Sequence, residues 1–572
     1  MTKMSVSEAI VEQMLMEGVE YFAGIVGSAF MDLLDLLPDA GIRFINVRDE
    51  HTAPHMMDGY GRISGKVGVC IGQNGPGITN MVTSVATANY AHTPMIVLGP
   101  SATSQTVGYG GFQEVDQISI FKPITKAAIR VPHPNRAAEC IRSAFRIAYT
   151  KRGVVYVDIP RDYFYMDVDD EILPPESYRP TKPPSPNPEL IKMAAKALIE
   201  AESPTIISGK GVVDSNAVRE VVKVAEFLSA PVACSYQHID AFPADHPLWV
   251  GPLGYMGSKV AMEVVRDADV ILAVGTRLSY FGTLPQYNIK YFTGKQRIIQ
   301  IELDPEEIGK IHKIEIGIVG DAKISLEALY RELLSTGKSK ENRRRLEEVN
   351  QMKIDWEKEI KELAMQPGTP INPRRALYEI ANSISEDTIV TTDIGNVCAT
   401  ASSYLKFKKA RKYIACLTMG NTGFAYQAAL GAKLASPEYP VVALVGDGAW
   451  GMSFYEVLTA LEHKLPVVAV VFNNGCWGAE KRNQIDFYNK RFIAVDIYQP
   501  KWADVARVMG ANGIRIEKPD EIDSALRDAI NSKRPTVLEI MVDGTQLAPP
   551  FRRDALSYPR RYLPKYQKQS KN

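Results

Sequence analysis

Two polar clusters at the ends of neighbouring strands carry the clearest chemistry in this 572-residue chain. Residues 441–474 read VVALVGDGAWGMSFYEVLTALEHKLPVVAVVFNN. The pattern predicts a strand ending at Val445, the turn Gly446-Asp447-Gly448, a helix from about Ala449 to Lys464, and a second strand that ends in Asn473-Asn474. In one βαβ unit both clusters fall at the carboxyl edge of the same parallel sheet, where open α/β sheets bind ligands. The helix N-terminus favours an anion there, and Gly448 lets backbone approach a ligand closely. Asp447 and Asn474 offer hard oxygens of the kind Mg²⁺ takes when phosphate oxygens complete its shell. A Gly-Asp-Gly turn alone is common in plain strand–turn–helix units. The informative part is its distance from the Asn pair, with 24 residues (449–472) between.

Glu50, in IRFINVRDEHTAPHMMDGYGR, stands just past a predicted strand end and at a helix start, where the helix dipole alone would stabilise a carboxylate. GQNGPGITN (72–80) is a glycine-rich strand-to-helix loop, and GGFQE spans 110–114. Each is weak alone, because glycine loops are commonly just turns.

The elements that must position these residues repeat along the chain. Apolar, β-rich runs (IRFINV, KVGVCIG, PMIVLG, VVYVDI, PTIISG, DVILAVG, RIIQIEL, TIVTTD, VVALVG, PVVAVVF, TVLEIM) alternate with helical patterns. That alternation predicts an α/β protein of doubly wound parallel sheets. Two segments break the rhythm: the proline-rich LPPESYRPTKPPSPNP (173–188), which reads as an extended linker, and a charged helical stretch over 337–366 that leads into PGTPINP. The expected division is a domain over 1–170, a linker over 171–189, a central domain over 190–335, a helical linker over 336–369 and a third domain over 370–572.

Composition narrows the partners. With 66 basic and 66 acidic residues the net charge is zero, so no global electrostatic argument favours nucleic acid or an anionic membrane. The six cysteines are scattered with no CxxC pair, which argues against zinc or a disulfide framework and suits a reducing compartment. The N-terminus reads as an amphipathic helix rather than a signal peptide, and no stretch approaches the ~18 apolar residues of a membrane span. A cytoplasmic location is expected.

Taken together, the motifs match a known pattern. The Gly446-Asp447-Gly448 turn with Asn473-Asn474 resembles the thiamine diphosphate motif, and Glu50, eight residues before Asp58-Gly59-Tyr60, is similar to the family's glutamate-to-DGY spacing. GQNGPGITN resembles the family's SGPGATN loop, and GGFQE a loop whose Phe and Gln line the reaction centre. The chain is identified as a member of the thiamine diphosphate-dependent acetohydroxyacid synthase/pyruvate oxidase-like superfamily.

That resemblance implies a pyrimidine-binding, a central Rossmann-like and a diphosphate-binding domain. It implies a Mg²⁺ held by Asp447, Asn474 and the backbone carbonyl of Cys476. Glu50 would press a carboxyl group against the aminopyrimidine ring and drive the tautomer that deprotonates the thiazolium carbon, with Phe112 and Gln113 lining the reaction centre. Gly27, Asn74, Gly395, Asn396, Met419, Gly446, Gly448, Ala449 and Trp450 would contact the cofactor. Where many relatives place a bulky aliphatic residue that props the bent cofactor, this chain has Thr422; either a neighbour such as Met419 supplies the support, or the correspondence shifts by a few residues. FAD, bound by some relatives, is not expected, since the central segment lacks a GxGxxG fingerprint. The family forms its site between the first domain of one subunit and the third of another, which implies a homodimer or homotetramer.

Several segments narrow the resemblance to the sulfoacetaldehyde acetyltransferase branch: GIVGSAFM (24–31), GYGGFQEVDQ (108–117), IPRDYF (159–164), GDGAWGMS (446–453), WGAEKRNQIDFY (477–488) and PFRRDAL (550–556). The implied reaction takes sulfoacetaldehyde and phosphate to acetyl phosphate and sulfite with no net loss of electrons. Both substrates are anions, so Lys481, Arg482, Arg552 and Arg553 are candidate cations, with His51, His55, Gln73 and Asn74 as hydrogen-bond donors. Solvated lysines and arginines would look the same in sequence. The alternatives are a 2-keto acid decarboxylase or carboligase of acetolactate synthase type and, more distantly, a non-catalytic paralogue.

Overall fold

The computed structural model describes residues 2–337, 339, 342–416, 419–550 and 561–567, with Cys398 described by its backbone alone. Three six-stranded sheets, each parallel throughout, organise these residues. The first runs, edge to edge, Arg43–Asn46, Tyr21–Gly24, Gly68–Ile71, Met95–Ser101, Val154–Pro160 and Ala127–Arg130. The third runs Tyr413–Ala415, Ile389–Thr392, Val441–Gly446, Val467–Asn473, Thr536–Met541 and Asn512–Ile516. Numbered within each sheet, both follow the order 2-1-3-4-6-5. The central sheet (Trp249–Pro252, Val232–Cys234, Thr205–Ser208, Val270–Val274, Arg297–Glu302, Ile316–Val319) follows 3-2-1-4-5-6, the doubly wound order of dinucleotide-binding folds.

Helices cover both faces of each sheet, which is why the inner strands read as continuous apolar runs. Met95–Ser101, Val154–Pro160 and Val467–Asn473 are buried at every position. The proline-rich stretch carries only the short turn Pro175–Ser177, and it is fastened rather than free. The Gln13 amide donates to the Leu173 carbonyl at 2.8 Å, and Arg179 pairs with Glu17 at 2.7 Å. The charged segment forms the helix Arg343–Met365, which buries the single stripe Val349, Trp356, Ile360 and Ala364.

One expected element is not continuous. In place of a helix over 449–464 the chain makes a single turn at Asp447–Trp450, a 3-10 turn at Phe454–Glu456 and a helix at Val457–Glu462. Trp450 and Glu456 are both fully buried but face different neighbours, and the re-aimed backbone at 451–453 lets each reach its own.

The first and third domains share one core through the helices Thr52–Ser64 and Phe424–Ala435. They approach backbone to backbone. A Cβ on Gly59 would lie 2.0 Å from the Ala428 carbonyl oxygen, and one on Gly431 would lie 1.7 Å from that of Met56. A buried ion pair within the first helix, Asp58 with Arg62 at 2.6 Å, reinforces the crossing, because Arg62 also donates to the Ala415 carbonyl at 3.0 Å. Lone buried charges are costly, but here Thr93 and Ala415 complete the hydrogen bonding. In a free helix Gly→Ala gains up to ~1 kcal/mol of propensity. At this crossing the methyl group meets backbone that has nowhere to go, so Gly431→Ala is expected to destabilise by about 1–3 kcal/mol or more, read as a lowered midpoint in chemical denaturation.

Candidate active site

The register that pairs Gly446 with Phe472 makes Asp447 and Asn474 leave the third sheet side by side. The Asp447 carboxylate accepts the N–H of Gly448 at 2.8 Å on one oxygen, and those of Gly475 (2.7 Å) and Asn474 (3.2 Å) on the other. The Asn474 side-chain oxygen accepts the Cys476 N–H at 3.1 Å. Asp447 is 2% exposed, and burial pushes its carboxyl up to about 6. A carboxylate has about four lone-pair sites, so three N–H donors leave it capacity for a cation, whose charge would offset the desolvation. Burial likewise pushes the Cys476 thiol up to about 11. Mg²⁺ takes hard oxygen ligands rather than sulfur, which favours the backbone carbonyl at that position.

Beside this corner, Gly395 adopts φ +105° and starts the helix Asn396–Tyr404. The Asn396 side-chain nitrogen is buried and has no hydrogen-bond partner among the described residues. Asn396 and Asn474 line a cavity of about 100 Å³ together with Arg374, Thr400 and Gln546. An orphaned buried donor costs ~1–3 kcal/mol, which an anionic acceptor would recover. One carboxylate, one amide oxygen, an unpaired donor and an arginine fit a diphosphate with its cation. A larger cavity of about 500 Å³ lies elsewhere, at the carboxyl edge of the central sheet, lined by Lys210, Asp214, His238, Arg277 and Glu302 among others.

Glu50 occupies the turn that leads into the helix Thr52–Ser64. One carboxylate oxygen accepts from the Asn80 amide at 3.1 Å, and the other lies where a Cβ on Gly77 would come within 3.1 Å. The glycine loop therefore cradles the acid. Gln73 links to Gln113 and to Asn74, each at 2.8 Å, and its oxygen accepts the Ala29 N–H at 3.1 Å. A Cβ on Gly27 would strike that same oxygen at 2.3 Å. Asn74 donates to the Gln113 carbonyl at 3.1 Å, and Gln113 is held at φ +61°, a strained value for a non-glycine residue. Glu50, Gly27, Gln73, Asn74 and Gln113 are thus one assembly at the edge of the first sheet, and Phe112 stands beside it 79% exposed.

Other expected site residues lie differently. Gly448 is pressed by the Trp477 indole, 2.5 Å from a would-be Cβ, so the close packing of a side chain also requires bare backbone there. Trp450 is 1% exposed and packs edge-on against Tyr426 with ring centroids 5.1 Å apart; together with buried Ala449 it can meet a ligand only through backbone. His55 is fully buried inside its helix, against His51 and Phe424 and bonded to Asn421 at 2.9 Å. His51 is only half-buried and holds the outer position. Lys481 and Arg482 are already neutralised, by Asp496 at 2.7 Å and Asp486 at 2.8 Å. Met419 is 39% exposed, and the Thr422 hydroxyl donates to the Met452 sulfur at 3.0 Å, which puts a second methionine beside Thr422. Arg552 and Arg553 lie outside the described residues.

Sequence reasoning passed over Asp393, which is 1% exposed at the end of the strand Ile389–Thr392. It accepts from Gly423 at 3.1 Å, Ala425 at 2.8 Å and Ile394 at 2.9 Å, and so ties the Gly395 turn to the start of the helix Phe424–Ala435. Its place just past a strand end, two residues before a glycine, was the available signal. Gly448→Ala is expected to displace Trp477 and with it the Asn474–Cys476 turn, lowering cofactor affinity about tenfold or more in a binding titration. Adding Trp477→Phe, which removes the ring atoms in contact, should restore part of that affinity.

Comparison with known proteins places the sequence. Models of the thiamine pyrophosphate enzyme family match three segments: its N-terminal TPP binding domain over residues 4–120, its central domain over 191–329 and its C-terminal TPP binding domain over 393–540. A sulfoacetaldehyde acetyltransferase of Castellaniella defragrans is 44% identical, across 99% of this chain and 97% of its own. One of Alcaligenes xylosoxydans xylosoxydans is 43% identical over the same shares. A probable acetolactate synthase large subunit of Methanocaldococcus jannaschii is 36% identical, across 95% and 93%. The chain belongs to the thiamine pyrophosphate enzyme family, with the family's three domains in the order of its three sheets.

Proposed function

We propose that this protein is a thiamine diphosphate-dependent acyltransferase that converts sulfoacetaldehyde and phosphate into acetyl phosphate and sulfite. The observation that carries the reading is full-length similarity to sulfoacetaldehyde acetyltransferases, two of them 44% and 43% identical, against 36% for a probable acetolactate synthase large subunit. Asp447, Asn474 and the Cys476 carbonyl would hold Mg²⁺, and Asn396 with the Gly446–Gly448 turn would receive the diphosphate. The cofactor, when bound, supplies a nucleophilic carbon able to add to the aldehyde. Glu50 manages the proton that must move on the aminopyrimidine side. Asn80 orients its carboxylate, and Gln73, Asn74 and Gln113 fix the surrounding loop so that polar groups, not bulk water, face the reacting centre. Sulfite leaves from the carbon next to the aldehyde first, and the acetyl group so formed then passes to phosphate, so atoms and electrons balance without an external oxidant.

The first domain's site loop carries Tyr109 and Phe112, 84% and 79% exposed. Large apolar side chains beside a catalytic assembly are what a second subunit would cover, in keeping with a homodimer or homotetramer whose site pairs Glu50 of one chain with Asp447 of another. Among the described residues no helix is long and apolar enough to cross a membrane. A cytoplasmic location is part of the same reading. The cations that receive sulfonate and phosphate are sought at Arg552 and Arg553 ahead of Lys481 and Arg482, whose charges are already met.

The direct test supplies sulfoacetaldehyde, phosphate, thiamine diphosphate and Mg²⁺ and measures sulfite and acetyl phosphate. Equal release of both is expected; turnover of pyruvate without sulfite would sink the assignment in favour of an acetolactate synthase. Glu50→Gln should lower kcat by about 100-fold or more while cofactor affinity stays within about threefold of the parent. Asp447→Ala should fail to retain thiamine diphosphate on gel filtration, as should the parent protein stripped with a chelator.

A further inference from the structure

Glu456 lies nine positions beyond Asp447 and has no exposed surface. Its side chain points out of the third domain and into the loop that carries Glu50. One carboxylate oxygen accepts the backbone N–H of Arg48 at 3.1 Å, that of Asp49 at 3.2 Å and the Thr52 hydroxyl at 2.8 Å. The other oxygen accepts the Thr459 hydroxyl at 2.5 Å. Its neighbours repeat the arrangement. The Asn46 N–H donates to His463 Nε2 at 3.1 Å, Arg43 donates to the His463 carbonyl at 3.0 Å, and Arg48 pairs with Glu462. Residues on both sides of Glu50 are therefore fastened to 456–463, while the Glu50 carboxylate faces the other way, to Asn80 and Gly77.

We propose that Glu456 is a positioning residue for Glu50: it fixes the backbone of 48–52 and thereby sets the reach of the relay carboxylate. The proposal rests on the proton-relay reading of Glu50. Hydrogen bonds to an ionised acceptor are about twice as strong as neutral ones, and here one buried carboxylate collects four donors from two domains. Without it, two backbone N–H groups beside Glu50 lose their buried acceptor and the loop relaxes. A displacement of ~1 Å in a catalytic group can cost about 100-fold in rate. Glu456 belongs to the same strand–turn–helix unit as Asp447, so it also references the relay loop of a chain to the metal corner of that chain. Ordinary interdomain glue would lower stability only; a positioning role changes the proton transfer itself.

The test compares Glu456→Ala and Glu456→Gln with the parent, alone and in the Glu50→Gln background. In the holoenzyme it reads deuterium exchange at the reactive thiazolium carbon of bound thiamine diphosphate, kcat and cofactor affinity. In the cofactor-free protein it reads amide exchange of the peptide 43–52. Glu456→Ala is expected to slow carbon-proton exchange and kcat by about tenfold or more, with cofactor affinity within about threefold and faster amide exchange in 43–52. Glu456→Gln keeps one oxygen for Arg48, Asp49 and Thr52 while its NH₂ turns to the Thr459 hydroxyl, so it should recover most of the loss. Glu456→Ala added to Glu50→Gln should cost nothing further, because both act through one group.

Parent-like carbon-proton exchange in Glu456→Ala overturns the proposal, and so does a full additional loss in the double variant. A glutamine no better than alanine also overturns it, and points to the charge instead. A Glu50→Gln enzyme with parent-like exchange removes the relay reading itself, a result distinct from all of these. If Glu456→Ala does not fold, Thr52→Val, which deletes one donor at constant shape, takes its place: slowed exchange is expected, and parent-like exchange overturns the proposal.

Discussion

The geometry of this protein depends on a contact that no side chain could survive. Two helices cross with Gly59 against the Ala428 carbonyl and Gly431 against that of Met56, and every other relation between the first and third domains follows from that distance. At this spacing Phe424 reaches His55 and Arg62, and the Arg62–Asp58 pair can close onto the Ala415 carbonyl. The loop before the first helix comes to rest against 456–463. Packing of this kind has two arrangements, closed or parted, and little between. The position of Glu50 is thereby inherited from a crossing that takes no part in the chemistry.

On that scaffold the polar work is divided between two sheet edges. The third sheet gathers oxygens and backbone dipoles around a buried carboxylate that has no ion pair among the described residues, an arrangement the proposed cation would stabilise. The first sheet gathers amides around a glutamate, and uses glycines where any Cβ would strike the acid or the amides that frame it. In the proposed reading neither edge is sufficient: one would anchor the cofactor, the other would move its proton.

Much of this was legible in the sequence, for identifiable reasons. Buried parallel strands must be continuously apolar, so VVALVG and PVVAVVF announced themselves, and a strand–turn–helix spacing placed Asp447 and Asn474 on one edge. Short-range patterns predict what short-range forces decide. What the sequence did not show is long-range. Nothing near Gly448 in the chain says that Trp477 folds back onto it, and nothing near Lys481 or Arg482 distinguishes a paired cation from one waiting for a substrate. The helix expected over 449–464 has the right local composition but breaks because Trp450 and Glu456 must each reach a separate partner. Glu456 was invisible for the same cause: an acid beside a helix reads as a solvated face until another domain's N–H groups are seen to converge on it.

The identical strand order of the first and third sheets gives the crossing a further meaning. The two helices that cross are topological equivalents, each joining the second strand of its sheet to the third. Gly59 and Gly431 are each the eighth residue of their helix (52 to 59, 424 to 431), and each meets the carbonyl of the other's fifth residue, Ala428 or Met56. The contact is therefore a quasi-twofold one, with the reciprocity of an isologous dimer interface written inside one polypeptide. Under that pseudo-symmetry the turn bearing Glu50 and the turn bearing Asn421 and Gly423 are counterparts, each leading into its crossing helix. The proposed function would put proton chemistry on one copy and the metal on the other, so the two halves would differ at their sheet edges while their meeting surface keeps its reciprocity.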